Sequence, residues 1–568
     1  VEAIDVGGRK VPPPGAADLV APNAAALLRR NATEHGDRPA VRWADGEWTY
    51  AELWAEMLRW AGAFEAHRPA DPATPFHIGV LLDNTPAYLA CIGAAAVTGA
   101  TLVGLNPTRM GAELARDASH TDCVAVVTDG TYDQLLTDAG IALPTVTRGP
   151  DTDTRWVDDP SRDPDISTRW LLVLTSGTSS APKAVICSQR RMLVTGERMR
   201  ILLDVDQDDV GYICMPLFHS NALMVGMMPA WVSGACLGLA PKFSARGWLP
   251  DVRRYGVTYW NYTGKPLAYL LATEEKPDDA DNTVTRAYGN EGSATIVAAF
   301  SKRFGVEVID GFGPTEGGIG IMRKPEDPDG AIGHCGDHVM VVDVDGNQLP
   351  KARFDAAGQL TNAAEAVGEI VNTAGPGPFE GYWRNEEATQ KATRNGWYWT
   401  GDLGYVDDAG FVYFAGRNAD WVRVDGENFP TGPVEAVVAR HPDVVASAAY
   451  GIPAPDAGDA LMCALVLNEG ATFDPAAFAA WLDEQPDLGP KWRPTWVRIT
   501  DELPRTPTHK VLHRQLQQEK FRLDLVRPGD MLFRRPRGSA TFMPFGADEQ
   551  AALAKEFEAA GRTRFWDL

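Results

Sequence analysis

Hydrophobic and polar positions near the start of the chain alternate between two periodicities. In "WTYAELWAEMLRWAGAFEAH" (48–67) the apolar residues recur at helical spacing, whereas "FHIGVLL" (76–82) is an apolar run typical of a buried strand. The helical "PAYLACIGAAAV" follows, and after it the apolar runs "TLVGL" and "CVAVVTD" (123–129). Strands that alternate with helices predict βαβ units and a mostly parallel sheet.

The same alternation of apolar runs and helical stretches returns around "VGYICMPL", "CLGLA" and "VTYWNYT", and after these the spacing of apolar residues changes. After about Gly368 the pattern predicts short strands with turns, and 408–410 ("DAG") predicts a hairpin turn. Beyond Arg417 a second pattern of strands and helices predicts a small domain of roughly 100 residues. The predicted class is α/β, with a large N-terminal domain of parallel-rich sheets packed with helices, a β-rich subdomain, and a small α+β C-terminal domain.

Two uncharged stretches are long enough to be weighed as membrane spans. They are 85–108 and 212–240, and a span needs roughly 20 predominantly apolar residues. The first is diluted by Ala, Gly and Thr, and the second contains Pro216, His219 and Pro229. Each is therefore predicted to be a buried helix followed by a buried strand.

Composition narrows the function classes. The chain has 568 residues, which is too long for one hydrophobic core, and its 45% hydrophobic content is ordinary for a globular protein. The formal net charge of −23 and the lack of a sustained Lys/Arg stripe argue against nucleic-acid binding. The seven cysteines are scattered without a C-x-x-C pair, which predicts reduced thiols rather than disulfides or a zinc site. The first residues do not combine a basic stretch with an apolar core, so we expect no secretory signal.

The segment "LLVLTSGTSSAPKAV" (171–185) combines an apolar run with hydroxyls, a glycine and a lysine. Gly177 and Lys183 have the spacing of a Walker phosphate loop. However, Pro182 has no N–H to donate to a phosphate, and Ala184 has no hydroxyl for magnesium. The loop is therefore not a Walker loop, although its hydroxyls suit a pyrophosphate, and a mobile polar turn is the alternative.

The segment "DGFGPTEGG" (310–318) resembles a dinucleotide-binding fingerprint only at its start. Glu316 occupies the place of the last glycine, where a carboxylate would face a pyrophosphate, and "GPGPFEG" (375–381) fails in the same way. Glu316 is better suited to Mg²⁺, the Thr315 hydroxyl to a phosphate, and the Phe312 ring to a base.

Four segments in order resemble the adenylate-forming superfamily of acyl-CoA synthetases, adenylation domains and luciferases. They are "TSGTSSAPKAV", "GFGPTE", "YWTGDLGYVDDAGFVYFAGRNAD" and "LPRTPTHKVLHRQL", so the resemblance spans about 60–520. Finer texture, including "VRVDGENFPTGPVE" and the tail after Val526, is similar to the fatty acid transport protein and very-long-chain acyl-CoA synthetase branch and to actinobacterial fatty-acid-CoA ligases.

The resemblance implies a set of ATP- and AMP-binding residues. Phe312 would stack on the adenine, Asp402 would accept the ribose hydroxyls, and Arg417 would donate to the ribose or a phosphate. The full set is Thr175, Ser176, Gly177, Thr178, Lys183, Gly289, Asn290, Glu291, Asp310, Gly311, Phe312, Gly313, Asp402 and Arg417. An ion pair of purely structural role is the alternative for Asp402 and Arg417.

The catalytic residues implied by the resemblance are Thr315 at the α-phosphate, Glu316 at Mg²⁺, and Lys510 between the carboxylate and the α-phosphate. His509 precedes that lysine where the family usually has glycine, and a solvated Lys510 is the alternative. For the acyl and CoA channel the resemblance implies His219, Arg423, Gly426 and Glu427, with a core-packed His219 as the alternative.

Domain boundaries follow from pattern and resemblance together. We expect an adenylation domain at 1–417 with its β-rich subdomain at about 335–417, and a hinge at 418–420. A mobile α+β lid domain would occupy 421–525 and a C-terminal extension 526–568. Rotation of the lid would let a thiol reach the acyl-adenylate.

The predicted function is an ATP- and Mg²⁺-dependent acyl-CoA ligase. Its substrate would be a hydrophobic carboxylate, either a medium- or long-chain fatty acid or a sterol side chain, and CoA would be the second substrate. The alternatives are an acyl-AMP ligase that loads a carrier protein and a fatty acid binding or transport protein with weak catalysis. We expect a cytoplasmic protein without a nucleic-acid partner, with peripheral membrane contact and a homodimer left open.

Overall fold

The chain folds into two compact units, 1–333 with 372–399 and 334–371 with 400–568. The computed structural model describes residues 3–6, 8–109, 111–149, 158–175, 182–263, 266–290, 294–324, 326–328, 330–355, 360–417, 421–424, 427–455, 459–485, 488–489, 492–506, 511–536, 538–559, 563 and 566. The predicted hinge at 418–420 lies outside these residues, and the predicted domain boundaries stay predictions.

The strands follow one another in chain order. They are β1 (Ile4–Val6), β2 (Arg9–Val11), β3 (Pro39–Trp43), β4 (Gly46–Thr49), β5 (His77–Val80), β6 (Thr101–Gly104), β7 (Cys123–Val127), β8 (Arg169–Thr175), β9 (Lys183–Ser188), β10 (Val210–Ile213), β11 (Cys236–Leu239), β12 (Tyr259–Thr263), β13 (Arg286–Asn290), β14 (Glu307–Phe312), β15 (Ile321–Met322), β16 (Ala331–His334), β17 (Val339–Val342), β18 (Gly368–Asn372), β19 (Tyr398–Val406), β20 (Phe411–Arg417), β21 (Trp421–Val424), β22 (Glu427–Pro430), β23 (Val444–Pro453), β24 (Asp459–Leu467), β25 (Trp496–Ile499), β26 (Met531–Arg534) and β27 (Met543–Phe545).

The α-helices are α1 (Ala24–Glu34), α2 (Tyr50–Glu65), α3 (Pro86–Thr98), α4 (Gly111–His120), α5 (Asp133–Asp138), α6 (Gln189–Leu203), α7 (Met228–Ser233), α8 (Trp248–Tyr255), α9 (Pro266–Leu271), α10 (Ala294–Phe304), α11 (Ala363–Ala366), α12 (Glu386–Ala392), α13 (Gly432–Val438), α14 (Pro475–Asp483), α15 (His513–Glu519) and α16 (Ala547–Ala559). A π-helical segment, Asn221–Met227, leads directly into α7.

The first unit is built on two largely parallel sheets. One has the strand order β7-β5-β6-β8-β9, and only its last pair, β8 with β9, is antiparallel. The other has the order β15-β14-β13-β12-β10-β11-β3-β4 and is parallel except at its two ends. Alternation of strands and helices therefore produces the predicted βαβ architecture.

Helix boundaries in this unit follow their capping residues. The Thr49 hydroxyl accepts from the Glu52 N–H while the Glu52 carboxylate accepts from the Thr49 N–H, so a capping box starts α2. Thr85 caps α3, and Gly99 ends it in the left-handed conformation with φ of 74°.

The two stretches weighed as membrane spans each contain a helix followed by a strand. The first forms α3 and β6, and the second forms the π-helical segment, α7 and β11. Among the residues that the structure describes, no helix is long and apolar enough to cross a membrane. The prediction of buried helix and buried strand is confirmed for both.

The second unit contains a β-rich sheet and a C-terminal sheet. The β-rich sheet has the order β16-β20-β19-β18-β17, and the predicted hairpin turn lies between β19 and β20, where the Gly410 N–H donates to the Asp407 oxygen at 3.1 Å. The C-terminal sheet has the order β23-β24-β25-β26-β27.

Both faces of the C-terminal sheet are buried. In β24, Leu461, Cys463 and Leu465 pack in one apolar cluster, while Met462 and Ala464 pack in another on the opposite face. The predicted extension contributes to this core, because it supplies β26, β27 and the buried Leu553 and Phe557 of α16.

A buried ion-pair network ties the extension to the C-terminal sheet. Arg498 of β25 has a side chain 3% exposed, and it donates to Glu519 and Asp530 at 2.6 Å each. Asp530 belongs to the predicted extension and its side chain is equally buried. The tail from 526 is therefore part of this unit's core.

Candidate active site

The described flanks of the phosphate loop form an antiparallel hairpin. Thr175 ends β8 and lies opposite Lys183, which begins β9, and the Thr175 hydroxyl donates to the Lys183 carbonyl at 3.3 Å. A Walker lysine instead leads into a helix, so the hairpin agrees with the rejection of that motif. Ser176, Gly177 and Thr178 lie outside the described residues.

Tyr382 links the lysine of this hairpin to the predicted magnesium ligand. The Lys183 Nζ lies 5.3 Å from the centre of the Tyr382 ring, a cation–π distance. The Tyr382 hydroxyl donates to Glu316 Oε1 at 2.5 Å. Lys183 and Glu316 thus both contact one buried tyrosine, Lys183 through its ring and Glu316 through its hydroxyl.

Main-chain pairing with β9 holds Tyr382 in place. The Ile186 N–H donates to the Gly381 oxygen at 3.1 Å, and the Trp383 N–H donates to the Ala184 oxygen at 2.8 Å. Tyr382 itself forms an antiparallel bridge with Val185. The 381–383 segment therefore adds to the edge of the hairpin that carries Lys183.

Arg191 fixes the backbone of the segment that contains Thr315 and Glu316. Its guanidinium donates to the Thr315 and Glu316 carbonyls at 2.5 and 2.8 Å, and to the Ile186 carbonyl at 2.6 Å. Gly317 closes the turn with φ of 74°, and its N–H donates to the Pro314 oxygen at 2.9 Å. Because the carbonyls are held by Arg191, the two side chains keep a defined direction.

Ser220 lies beside the Thr315 hydroxyl. The two hydroxyl oxygens are 2.8 Å apart, so one donates to the other. Ser220 follows His219, whose half-buried ring packs on Phe218 with centroids 4.5 Å apart. The predicted channel residue His219 is thus one position away from a direct contact with Thr315.

The predicted adenine-binding residues lie at the carboxyl ends of neighbouring parallel strands. Gly289 and Asn290 end β13 and Phe312 ends β14, at the edge of a parallel sheet where ligands bind. The Asn290 side chain donates to the Gly311 carbonyl at 2.5 Å. Glu291 lies outside the described residues.

Tyr262 supports this edge from β12. Its hydroxyl donates to Asp310 Oδ2 at 2.7 Å. Burial and the Asp310 charge raise the pKa of Tyr262, so the hydroxyl stays protonated and able to donate. A Cβ on Gly289 would overlap the Tyr262 ring, so the close packing of this ring requires glycine there.

In the second unit, Asp402 and Arg417 lie directly opposite each other on β19 and β20. The Asp402 N–H donates to the Thr400 hydroxyl at 3.0 Å, and the Gly401 N–H donates to Glu369 at 2.9 Å. The side chain of Arg417 lies outside the described part of the chain, and the ribose contact predicted for Asp402 and Arg417 stays a prediction.

The remaining predicted residues lie in or beside segments that are not described. Arg423 and Glu427 belong to the hairpin of β21 and β22, whose turn contains the undescribed Gly426. Lys510 and the preceding His509 lie outside the described residues.

The carboxylate of Glu316 fits a magnesium ion that is also bound by phosphate oxygens. No cluster of three or more His, Cys, Asp or Glu side chains that could hold a metal occurs within the described ranges. Magnesium in nucleotide enzymes needs only one or two carboxylates, because the phosphates and water complete its shell. An oxygen that accepts from Tyr382 still has a lone pair, so Glu316 can serve as such a ligand.

Comparison with known families decides the identity. Residues 28–383 match the model of the AMP-binding enzymes, and residues 433–510 match that of the AMP-binding enzyme C-terminal domain. The chain belongs to the AMP-binding enzyme family. The predicted superfamily is confirmed.

Relatives of this AMP-binding enzyme include proteins named as CoA synthetases or ligases. The chain is 44% identical to the steroid-22-oyl-CoA synthetase of Rhodococcus jostii (strain RHA1) over 93% of this chain and 96% of the relative. It is 45% identical to the medium/long-chain-fatty-acid–CoA ligase FadD17 of Mycobacterium tuberculosis over 82% of this chain and 91% of the relative.

A solved structure confirms the predicted fold class. ATP-bound MatB from Rhodopseudomonas palustris superposes with a TM-score of 0.72 at 23% identity, covering 87% of this AMP-binding enzyme and 98% of that chain. At this identity the likeness establishes the fold alone.

Three residues of the site escaped the sequence analysis. Tyr382, Ser220 and Arg191 contact Glu316 or Thr315 but lie 66, 95 and 124 positions from their partners. The position of Ser220 next to His219, which was singled out, was the one available signal. Tyr382 and Arg191 carried none, because their contacts depend on how β9 and α6 are placed.

Proposed function

We propose that this AMP-binding enzyme is an ATP-dependent acyl-CoA ligase of a hydrophobic carboxylic acid. The observation that carries the proposal is the contact chain from Lys183 through Tyr382 to Glu316, with Thr315 held beside it. It sets a cation, a carboxylate and a hydroxyl at one edge, which is what binding and cleaving a triphosphate require.

The first half-reaction joins the acid to AMP. A substrate carboxylate oxygen attacks the α-phosphorus of ATP, the bond to the β-phosphate oxygen breaks, and pyrophosphate leaves with the electron pair. Lys183 neutralises charge on the β- and γ-phosphates. Thr315 donates to an α-phosphate oxygen, and the Ser220 hydroxyl, 2.8 Å from that of Thr315, can donate to Thr315 at the same time.

Glu316 would hold Mg²⁺ in this reaction. The ion supplies neutralisation of the phosphate charge when it is bound. Tyr382 restricts the rotation of the Glu316 carboxylate, and Arg191 holds the carbonyl of the same residue, so side chain and backbone of the ligand are both positioned.

The second half-reaction transfers the acyl group to CoA. The thiolate attacks the acyl carbon of the adenylate, and AMP leaves as a good leaving group. Asp402 and Arg417 are proposed to hold the ribose, and Lys510 to bridge the carboxylate and α-phosphate oxygens in the first half-reaction. Rotation at 418–420 would then exchange Lys510 for the segment that contains Arg423, Gly426 and Glu427.

The substrate class is proposed from the chemistry that the named substrates of the similar proteins share. The names of the relatives include a steroid acid and medium- to long-chain fatty acids, which share a carboxylate on a large apolar body. We propose the same class here, and a cytoplasmic location. Contact with a membrane surface and a homodimer remain predictions.

Release of AMP from ATP with a panel of carboxylic acids, with and without CoA, tests the proposal. We expect AMP release that depends on a hydrophobic acid, and an acyl-CoA product when CoA is present. Adenylate that accumulates without transfer to CoA would favour an acyl-AMP ligase that loads a carrier protein. Lack of acid-dependent AMP would contradict any adenylating function.

A further inference from the structure

A cavity of about 660 Å³ lies at the edge of the first unit opposite the candidate active site. Three of its lining residues, His77, Thr101 and Arg169, are the first residues of the parallel strands β5, β6 and β8. Thr175 at the far end of β8 flanks the phosphate loop, and a seven-residue strand spans roughly 20 Å. The cavity therefore lies at the opposite strand ends from the phosphate loop, and Trp383 in its wall directly follows Tyr382 of the candidate active site.

Arg169 lines this cavity as a positioned guanidinium; the charge of Glu380 acts on it, but that carboxylate is hydrogen-bonded to Ser188. Among the described residues, no carboxylate lies within ion-pair distance of it. Its guanidinium stacks over the Trp383 ring at 4.1 Å, and one terminal nitrogen lies 3.2 Å from His77 Nε2. Burial lowers the pKa of Arg169, although an arginine remains charged at physiological pH.

His77 and Trp383 hold the guanidinium in a fixed direction. His77 Nδ1 lies 2.7 Å from the Thr121 carbonyl and donates to it, so Nε2 is left to accept from Arg169. Burial lowers the pKa of His77 to about 4, which keeps the ring neutral. The indole N–H of Trp383 donates to Asp122 at 2.9 Å.

The remaining walls of the cavity are mostly apolar, and they include a second arginine, Arg68. The loop at 69–75 contributes prolines and alanines, and the Phe76 ring carries the Arg68 guanidinium 4.4 Å from its centre. Arg68 pairs with Glu65 at 2.8 Å. Asp71 also lines the cavity, but its carboxylate accepts from the Ala73 N–H at 2.9 Å. The walls thus combine two guanidinium groups and one carboxylate with apolar side chains.

We propose that this cavity binds an organic anion with an apolar body, whose oxyanion group pairs with Arg169. The volume is that of a small-molecule site, and the apolar loop would contact the body of the ligand. The shared chemistry covers carboxylates, sulfonates and phosphates. Both the charge and the apolar body are needed, because the cavity offers a guanidinium that forms no direct ion pair with a described residue, and mostly apolar walls.

Calorimetric titration of the full chain with octanesulfonate, 1-octanol and inorganic phosphate tests this proposal. Octanesulfonate cannot be activated as an acyl donor, and ATP and CoA are omitted, so no turnover occurs. Binding at the proposed acyl site is told apart from binding in this cavity by the Arg169→Gln variant. We expect octanesulfonate to bind about tenfold or more tightly than either of the other probes. Equal binding of octanesulfonate and 1-octanol would overturn the proposal.

One charge variant and one matched control locate the site. Arg169→Gln should weaken octanesulfonate binding about tenfold or more. Arg384→Gln is the control, because Arg384 lies 5.7 Å from the same Trp383 ring, pairs with Asp122 and does not line the cavity. It should bind within about twofold of wild type. Equal weakening in both variants, or none in Arg169→Gln, would contradict the assignment.

Asp71→Asn gives a readout that misfolding cannot produce. The amide oxygen can still accept from the Ala73 N–H, while the negative charge at the cavity is removed. Octanesulfonate should therefore bind about twofold or more tightly, and the gain should fall at high salt. If Arg169→Gln does not fold, as judged by circular dichroism, Asp71→Asn alone decides, and an unchanged affinity of Asp71→Asn for octanesulfonate overturns the proposal.

Discussion

Replacement of Tyr382 by Phe isolates the hydrogen bond that positions Glu316. The ring remains, so the cation–π contact with Lys183 at 5.3 Å is kept, while the 2.5 Å hydrogen bond to the carboxylate is lost. A hydrogen bond to a charged group contributes about 1.5–3 kcal/mol. Because Glu316 is half-buried, solvent moves the effect toward the lower value, which corresponds to about a tenfold loss of adenylation kcat/KM.

Acid-dependent pyrophosphate release at a series of Mg²⁺ concentrations measures this loss. A carboxylate that rotates freely binds the ion less well, so the defect should be largest at low Mg²⁺ and shrink as Mg²⁺ saturates. Tyr212→Phe is the matched control. The Tyr212 hydroxyl also donates to a carboxylate, that of Asp251 at 2.7 Å, but this pair is not part of the candidate active site. Tyr382→Phe activity within twofold of wild type at every Mg²⁺ concentration would refute the positioning role.

Three further changes test the fold. Gly289→Ala should lower the free energy of unfolding by about 1–3 kcal/mol, because the new Cβ overlaps the Tyr262 ring; an unchanged Tm would contradict this. Arg498→Met should destabilise the second unit by about 3–5 kcal/mol in chemical denaturation, because Asp530 is left buried without its partner; a loss below about 1 kcal/mol would argue against the network. Burial lowers the pKa of His77 from 6.5 to about 4, so between these pH values the unfolded chain binds a proton that the folded chain does not. The stability advantage of wild type over His77→Gln should therefore shrink as the pH falls from 6.5 to 4.5. A constant difference would contradict the burial of a neutral ring.

The periodicity of apolar residues correctly predicted the helices and strands whose boundaries depend on residues of the same segment. The helical stripe at 48–67 corresponds to α2, Tyr50–Glu65, since its cap lies at Thr49 within the same segment. The apolar run at 76–82 contains β5, His77–Val80. Both elements bury a face that is readable from spacing, and their ends depend on neighbouring residues.

Features that depend on tertiary placement were not predictable from spacing. The β19–β20 register places Asp402 opposite Arg417, and it includes a shift between Leu403 and Gly404 that no local pattern signals. The contact of Tyr382 with Glu316 arises because 381–383 pairs with β9 across a long sequence separation. The segment from 526 was predicted as a C-terminal extension, and only the structure shows that its strands β26 and β27 join the C-terminal sheet.

Acid-dependent exchange of labelled pyrophosphate into ATP tests the formation of an acyl-adenylate most directly, because it needs no thiol and reports a reversible attack on the α-phosphorus. The account predicts exchange that requires both Mg²⁺ and a hydrophobic carboxylic acid, proceeds without CoA, and falls about tenfold at low Mg²⁺ in Tyr382→Phe. Release of ADP instead of AMP, or exchange that is independent of the acid, would contradict the account.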